Sequence, residues 1–193
     1  MKIVYIHGAS ATAESWNYIR DNIGGDDHCL EYHSDNGFKN NLDEMSKFIE
    51  TETESVFFVA HSLGGIYALH LANMFPKKTV GGVCLSTPYG GSKSADYAKY
   101  FLPFSRLMRD IGPNSWPMQA SASIDIRWPW MNIVTTKGQS PWITEHNDGV
   151  VTVESQQHHG DTMELVEIKL NHYEVMLSPK VVKLIKTRLP AAG

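Results

Sequence analysis

Ser62 lies in AHSLGG, residues 60–65, directly after the apolar run Val56-Phe57-Phe58-Val59. A serine hydroxyl becomes a competent nucleophile near neutral pH when a base takes its proton and an acid orients that base. The positions two before and two after Ser62 are the small residues Ala60 and Gly64. A sharp strand-to-helix turn needs small residues there, because the two backbones nearly touch. Such a turn would lift the Ser62 hydroxyl above a sheet and aim the amide of Leu63 at the same point, where an oxyanion could be held. The same residues also fit a polar strand end before a glycine-softened turn, so the rest of the chain must decide.

The base has to be chosen by position, since the chain carries nine histidines. His172 follows an apolar alternation ending at Leu170 and precedes the last helical segment, which is where a base could reach over Ser62. His158 and His159 lie in a polar segment before that alternation, and a solvent-facing place on a helix is expected for both. Strand alternation turns His61 away from Ser62, and His70 falls two turns down the following helix. His7 opens the first loop and is expected to hydrogen-bond backbone there. For the acid, the segment Thr144-Glu145-His146-Asn147-Asp148-Gly149-Val150-Val151 offers Asp148 first, because Gly149 permits a sharp presenting turn and Val150-Val151 can pack its base. Glu145 is the second choice, and Glu154 and Asp161 lie toward the opposite end of the connection. An Asp-Gly pair taken alone is ordinarily just a turn. The other oxyanion donor is expected in His7-Gly8-Ala9-Ser10, as the amide of Ala9, with the hydroxyl of Ser10 or Thr12 as an optional addition. Trp16 and Tyr89 flank this expected site as candidate substrate-binding residues. The chemistry calls for no metal and no cofactor.

These groups require elements that end side by side. Lys2 to Ile6, Cys29 to His33, Ser55 to Ala60, Val80 to Ser86, Ile126 to Thr135 (interrupted by Pro129) and Glu164 to Leu170 read as strands. Segments at helical spacing lie between them: Glu14 to Ile23, Leu42 to about Glu52, Leu63 to Phe75 before Pro76, and Ser178-Pro179 to Leu189. Alternating strands and helices imply an α/β fold, a mostly parallel sheet with helices on both faces and ligands at the carboxyl ends of the strands. Gly90 to Ser123 is too long for a simple connection. Within it Tyr97, Phe101, Phe104, Met108 and Ile111 follow near-helical spacing, which suits either a small lid over about 92–123 or a crossover helix built into the core.

Bulk properties bound the function. A chain of 193 residues with 42% hydrophobic and 20% charged content reads as one globular domain, residues 1–193. The net charge of −4, without a dense basic run, argues against a nucleic-acid partner. The lysines between Lys180 and Arg188 fit a solvated helix face. No apolar segment approaches the roughly 18 residues needed for stable membrane insertion, and the N-terminus lacks the pattern of a signal peptide. Two cysteines are no disulfide framework. The expected location is cytoplasmic.

Taken together, IVYIHGA (3–9), VFFVAHSLGG (56–65), CLSTPYGGS (84–92), NDGVVTVES (147–155) and LNHYEVMLSP (170–179) resemble a compact, lipase-like α/β-hydrolase over nearly the whole chain. The order Ser62, Asp148, His172 is the triad order of that architecture. The resemblance implies a serine esterase: Ser62 as nucleophile, His172 as base and acid, Asp148 as orienter, and the Ala9 and Leu63 amides as oxyanion hole. The implied partner is a small-molecule ester or lipid. Ala60 departs from the family's usual glycine by one methyl, and two strands that commonly begin the family are missing, which implies a minimal six-stranded sheet. In the family's strand order Cys29 and Cys84 stand three strands apart, roughly 14 Å, too far for a disulfide. An acyltransferase or perhydrolase would share the same acyl-enzyme. A non-catalytic binding domain usually loses a triad member, whereas all three candidates are present.

Overall fold

In a computed structural model, described over residues 1–90, 115–141 and 143–191, six strands form one sheet. They are β1 (Lys2–Ile6), β2 (Asp27–Leu30), β3 (Val56–His61), β4 (Thr79–Leu85), β5 (Trp130–Thr135) and β6 (Glu164–Ile168). Their order is β2-β1-β3-β4-β5-β6, and every pairing is parallel. The helices are α1 (Asn17–Ile23), α2 (Phe38–Thr51), α3 (Leu63–Met74), α4 (Trp116–Ala122), α5 (Val153–Gln156) and α6 (Pro179–Lys186).

Alternation along the strands divides the core into two layers. Val4, Ile6, Phe58 and Ala60 face α2 and α3, joined by Phe38, Met45, Tyr67 and Met118. Ile3, Tyr5, Phe57 and Val59 face the other way, onto Trp16, Ile19, Val175, Val181 and Ile185. Both faces of β3 and β5 are covered, which is why these strands read as continuous apolar runs. Helix α3 is buried from Leu63 through Ala72, so it runs through the interior, whereas α6 buries one stripe and turns its lysines outward.

Several boundaries differ from the sequence expectation for definite reasons. The second strand ends at Leu30, paired with Ile6, instead of continuing to His33. Tyr32 leaves the sheet to stack on His7 at 4.4 Å, and its hydroxyl donates to the His7 carbonyl. Helix α2 starts at Phe38, earlier than the apolar spacing from Leu42 suggests, because Phe38 is drawn inward to stack on Tyr67 at 4.2 Å. The first helical segment opens with a 3-10 turn, Ala13–Trp16. His158 and His159 follow α5 in turns and not on a helix. His158 is exposed as expected, but His159 is buried and edge-on to Tyr89.

Of the region read as lid or crossover, α4 packs against α3: Met118 lies in the core and His70 Nε2–H donates to the Pro117 carbonyl at 2.9 Å. Tyr97, Phe101, Phe104, Met108 and Ile111 lie outside the described residues. Cys29 and Cys84 are both free, and burial pushes the Cys84 thiol up to about 12. Among the described residues no helix is long and apolar enough to cross a membrane.

Candidate active site

The turn at Ser62 is strained. Its φ is 52° and its ψ −123°, a left-handed conformation that costs a non-glycine residue about 1–3 kcal/mol. The surroundings enforce it. The Ser62 N–H continues the sheet by donating to the Leu85 carbonyl at 2.8 Å, and the next residue already begins α3. Gly64 is where that helix meets β1: a Cβ there would lie 2.3 Å from the Ile6 carbonyl oxygen and 2.6 Å from that of His7. Gly65 is roofed by Thr87, whose hydroxyl would be 2.0 Å from a Cβ. No side chain fits at either position without displacing what lies over it. Leu63 is the first residue of α3, so its N–H has no carbonyl four residues back to serve.

The other side of the turn is the loop after β1. Gly8 lies against the elbow: a Cβ there would be 2.9 Å from His61 Nδ1 and 3.3 Å from Ser62 Cβ. The half-buried Ala9 follows, and among the described residues its N–H meets no backbone acceptor. His7 does structural work, as expected. Its Nδ1–H donates to the Gly8 carbonyl at 2.8 Å, and its Nε2 accepts from the Tyr32 N–H at 3.4 Å. Burial lowers its pKa.

Asp148 and His172 meet in the interior. His172 Nδ1–H donates to Asp148 Oδ2 at 2.8 Å, with side-chain exposures of 4% and 0%. The His172 N–H donates to the Asp148 carbonyl at 3.1 Å. Asp148 Oδ1 accepts from the amides of Val150 and Val151 at 3.0 and 2.7 Å. Oδ2 also accepts the Thr135 hydroxyl at 2.5 Å and Gln156 Nε2–H at 3.3 Å. Burial by itself would push this carboxyl up, but the His172 charge and hydrogen bond, the Thr135 hydroxyl and the Val151 amide outweigh it and leave the pKa lowered. The acid is therefore held ionised.

The support behind Asp148 escaped sequence reasoning. Ser86, at φ 53° just past β4, donates its hydroxyl to Thr135 Oγ1 at 2.8 Å. Gln156 pairs its amide with the Thr135 backbone: Oε1 accepts the N–H at 2.8 Å and Nε2–H donates to the carbonyl at 3.1 Å. Asn132 in turn donates to the Gln156 carbonyl at 2.7 Å. Nothing local in the sequence joins these residues; the pairing of β4 with β5 and the return of α5 do. A local signal did precede His172. Asn171 Oδ1 accepts from the Tyr173 and Glu174 amides, and Glu174 Oε2 accepts the Asn171 N–H. That reciprocal Asn-x-x-Glu cap fixes the chain on which His172 stands.

His61 is also closer to the chemistry than alternation suggested. It is 5% exposed, its ring lies 4.8 Å from that of His172, and its Nε2–H donates to the His172 carbonyl at 2.9 Å. Burial, with the neighbouring His172 charge, lowers its pKa to about 3, so it is neutral.

Two candidate substrate residues need correction. Trp16 has no exposed surface and packs on Tyr5 in the core layer of α1. Tyr89 is 1% exposed, and its hydroxyl accepts from Trp130 Nε1–H at 3.1 Å. Both are core residues closed to solvent, drawn inward by aromatic packing. Glu145 lies on the loop that leads to Asp148, where its Oε2 accepts from the Thr144 hydroxyl at 3.2 Å. A cleft of about 620 Å³ on that loop is lined by Gly138, Pro141, Ile143, Thr144 and Asn147, and none of Ser62, Asp148 or His172 lines it. Among the described residues no three His, Cys, Asp or Glu side chains gather as a metal site.

Solved structures share this architecture. An alpha/beta superfamily hydrolase from Oenococcus oeni PSU-1 superposes with a TM-score of 0.69 at 16% identity, covering 98% of this chain and 91% of that one. The mature lipase BlEst2 of Bacillus licheniformis gives 0.73 at 16%, with 96% and 90% covered. A monoacylglycerol lipase of Paleococcus ferrophilus gives 0.68 at 14%, with 96% and 91% covered. At these identities the likeness is one of fold. No curated protein matches the sequence. The sequence model described as "Alpha/beta hydrolase family" matches residues 3–146, from β1 through the elbow to the loop before Asp148, and with that span of motif on this sheet the chain belongs to the alpha/beta hydrolase family.

Proposed function

We propose that the protein hydrolyses carboxylic esters through an acyl-enzyme on Ser62. The observation that carries the reading is the buried Asp148–His172 pair at 2.8 Å, joined through the His172 carbonyl to His61, the residue before a serine held in a strained turn at φ 52°. Among the described residues neither Ser62 Oγ nor His172 Nε2 has a hydrogen-bond partner, so both are available to each other and to substrate. Catalytic contacts of this kind tighten once substrate is bound.

In the proposed cycle Ser62 Oγ attacks the ester carbonyl carbon as His172 Nε2 takes its proton. Asp148 stabilises the imidazolium through Nδ1–H. The Ala9 and Leu63 amides hold the tetrahedral oxyanion, each contributing about 3 kcal/mol. Collapse breaks the C–O bond, and His172 returns the proton to the leaving alcohol. Water, activated by the same histidine, attacks the acyl carbonyl and releases the acid and free Ser62. The fold likeness to lipases supports a small ester or lipid as substrate. A cytoplasmic location belongs to the same proposal, supported by two free cysteines.

The test is reaction with a fluorophosphonate probe, followed by p-nitrophenyl esters of rising acyl length. Covalent mass on Ser62, absent in Ser62→Ala, together with ester turnover is the expected result. A folded wild type that neither takes the probe nor cleaves any ester of the series overturns the reading.

A further inference from the structure

Three hydrogen bonds fix His172. Its ring is held at Nδ1 by Asp148, its N–H by the Asp148 carbonyl, and its own carbonyl by His61. The first two tie the base only to the acid, and both come from one loop. The third crosses the site to the residue next to the nucleophile.

We infer that His61 is a positioning residue, whose Nε2–H clamps the main-chain carbonyl of His172 and so sets the base against Ser62; the inference rests on the triad reading above. A carbonyl only accepts, so the proton of this bond belongs to His61, and its ring is the Nε2–H tautomer with Nδ1 bare. His61 is the last residue of β3, a strand buried along its whole length, where its backbone pairs with Leu85. Its side chain is therefore anchored to the same rigid segment that presents Ser62. Without this bond, His172 would be located by a loop 24 residues away in sequence and by the short turn that follows it. With it, nucleophile and base share one reference point across 111 residues of chain.

The clamp also reaches the oxyanion side. His61 Nδ1 lies under Gly8, where a Cβ would come within 2.9 Å. One imidazole thus touches the base and the loop that presents Ala9, and it adjoins the nucleophile in sequence. The titratable groups facing it are His172, Asp148 and His7. A donor that remained protonated on both nitrogens would place a second positive charge beside the imidazolium that forms on His172. The neutral state keeps the hydrogen bond without that repulsion. A buried histidine whose only task was to fill space would need no donor at this position, and the two roles separate experimentally.

His61→Phe keeps a ring and removes the donor, whereas His61→Gln keeps an N–H at a similar reach. In the full chain, His61→Phe is expected to lower kcat on a p-nitrophenyl ester by about tenfold, the scale of one lost hydrogen bond, with KM within about twofold. His61→Gln is expected to recover kcat to within about threefold of wild type. Two NMR readouts need no turnover. In wild type, 15N shifts should show His61 as the Nε2–H tautomer. The proton between His172 Nδ1 and Asp148 should exchange slowly with solvent in wild type and His61→Gln, and at least about tenfold faster in His61→Phe. A wild-type His61 protonated on Nδ1 alone overturns the clamp even if His61→Phe fails to fold. So does a His61→Phe protein that keeps both the slow proton and kcat, or a His61→Gln protein as impaired as His61→Phe. Failure of the ester reading itself would appear elsewhere, as an unlabelled Ser62 in wild type, while the NMR arms still judge the clamp.

Discussion

At the scale of single residues, the proposed mechanism separates atoms that react from atoms that hold. Replacing Ser62 by alanine removes only a hydroxyl whose single task in the proposed mechanism is attack. Ester turnover is expected to fall by roughly 10⁵–10⁶ with an unchanged circular dichroism spectrum. Retained turnover in a protein free of wild-type contamination would point to another nucleophile. Thr135 is a holding residue. Thr135→Val preserves shape but deletes the donor at 2.5 Å from Asp148 and leaves the Ser86 hydroxyl facing a methyl group. A fall in kcat/KM of about tenfold is expected, with Thr135→Ser close to wild type; equal activity in the two variants would show that the hydroxyl is dispensable. The residues proposed to react each carry a local signal in the sequence: a small-residue frame for Ser62, a turn glycine for Asp148, a strand end for His172. Thr135, Gln156 and His61 carry none, since their importance comes from partners that are adjacent only after the sheet has paired.

At the scale of elements, the elbow is the most demanding joint. Helix α3 approaches β1 so closely that a Cβ at Gly64 would lie 2.3 Å from a backbone carbonyl, and backbone cannot rotate aside as a side chain can. Gly64→Ala is therefore expected to destabilise the protein by about 3 kcal/mol or more and to lower activity through the displaced Ser62, measurable as a lower denaturant midpoint. An unaltered midpoint would mean that α3 can slide away from β1. The strands β1, β3 and β4 were readable because burial on both faces leaves a plain apolar run. The ends of β2 and α2 were not, because Tyr32 and Phe38 answer to rings on other elements. Trp16 and Tyr89 misled for the same reason: sequence nearness to a site loop does not reveal which way an aromatic ring is drawn, and the core took both.

At the scale of the whole molecule, burial of neutral histidines sets the response to acid. Burial lowers the pKa of His7, His28, His70 and His159 below the ordinary 6.5, and that of His61 to about 3. Below pH 6.5 the unfolded chain takes up protons that the folded chain refuses, so stability falls as pH drops, for His61 over the window from 6.5 to about 3. Asp148 acts in the same direction: its lowered pKa contributes stability above its ordinary 3.8, lost as pH falls through the lowered value. Melting temperatures are expected to be level above pH 7 and to fall steadily from 6.5 toward 4, less steeply in His61→Gln. A melting temperature level from 6.5 to 4 would contradict neutral burial. The sheet order has a separate outcome. The proposed nucleophile Ser62 directly follows β3, enclosed by neighbours, while the proposed acid and base follow β5 and β6, and β6 is an edge strand without a single buried residue. Edges of this kind open in local fluctuations of lower free energy than global unfolding. Amides of Leu165 to Ile168 should then exchange with deuterium long before those of Val56 to His61. In rising urea, catalysis should fade while most of the secondary structure persists, and it should return at once on dilution.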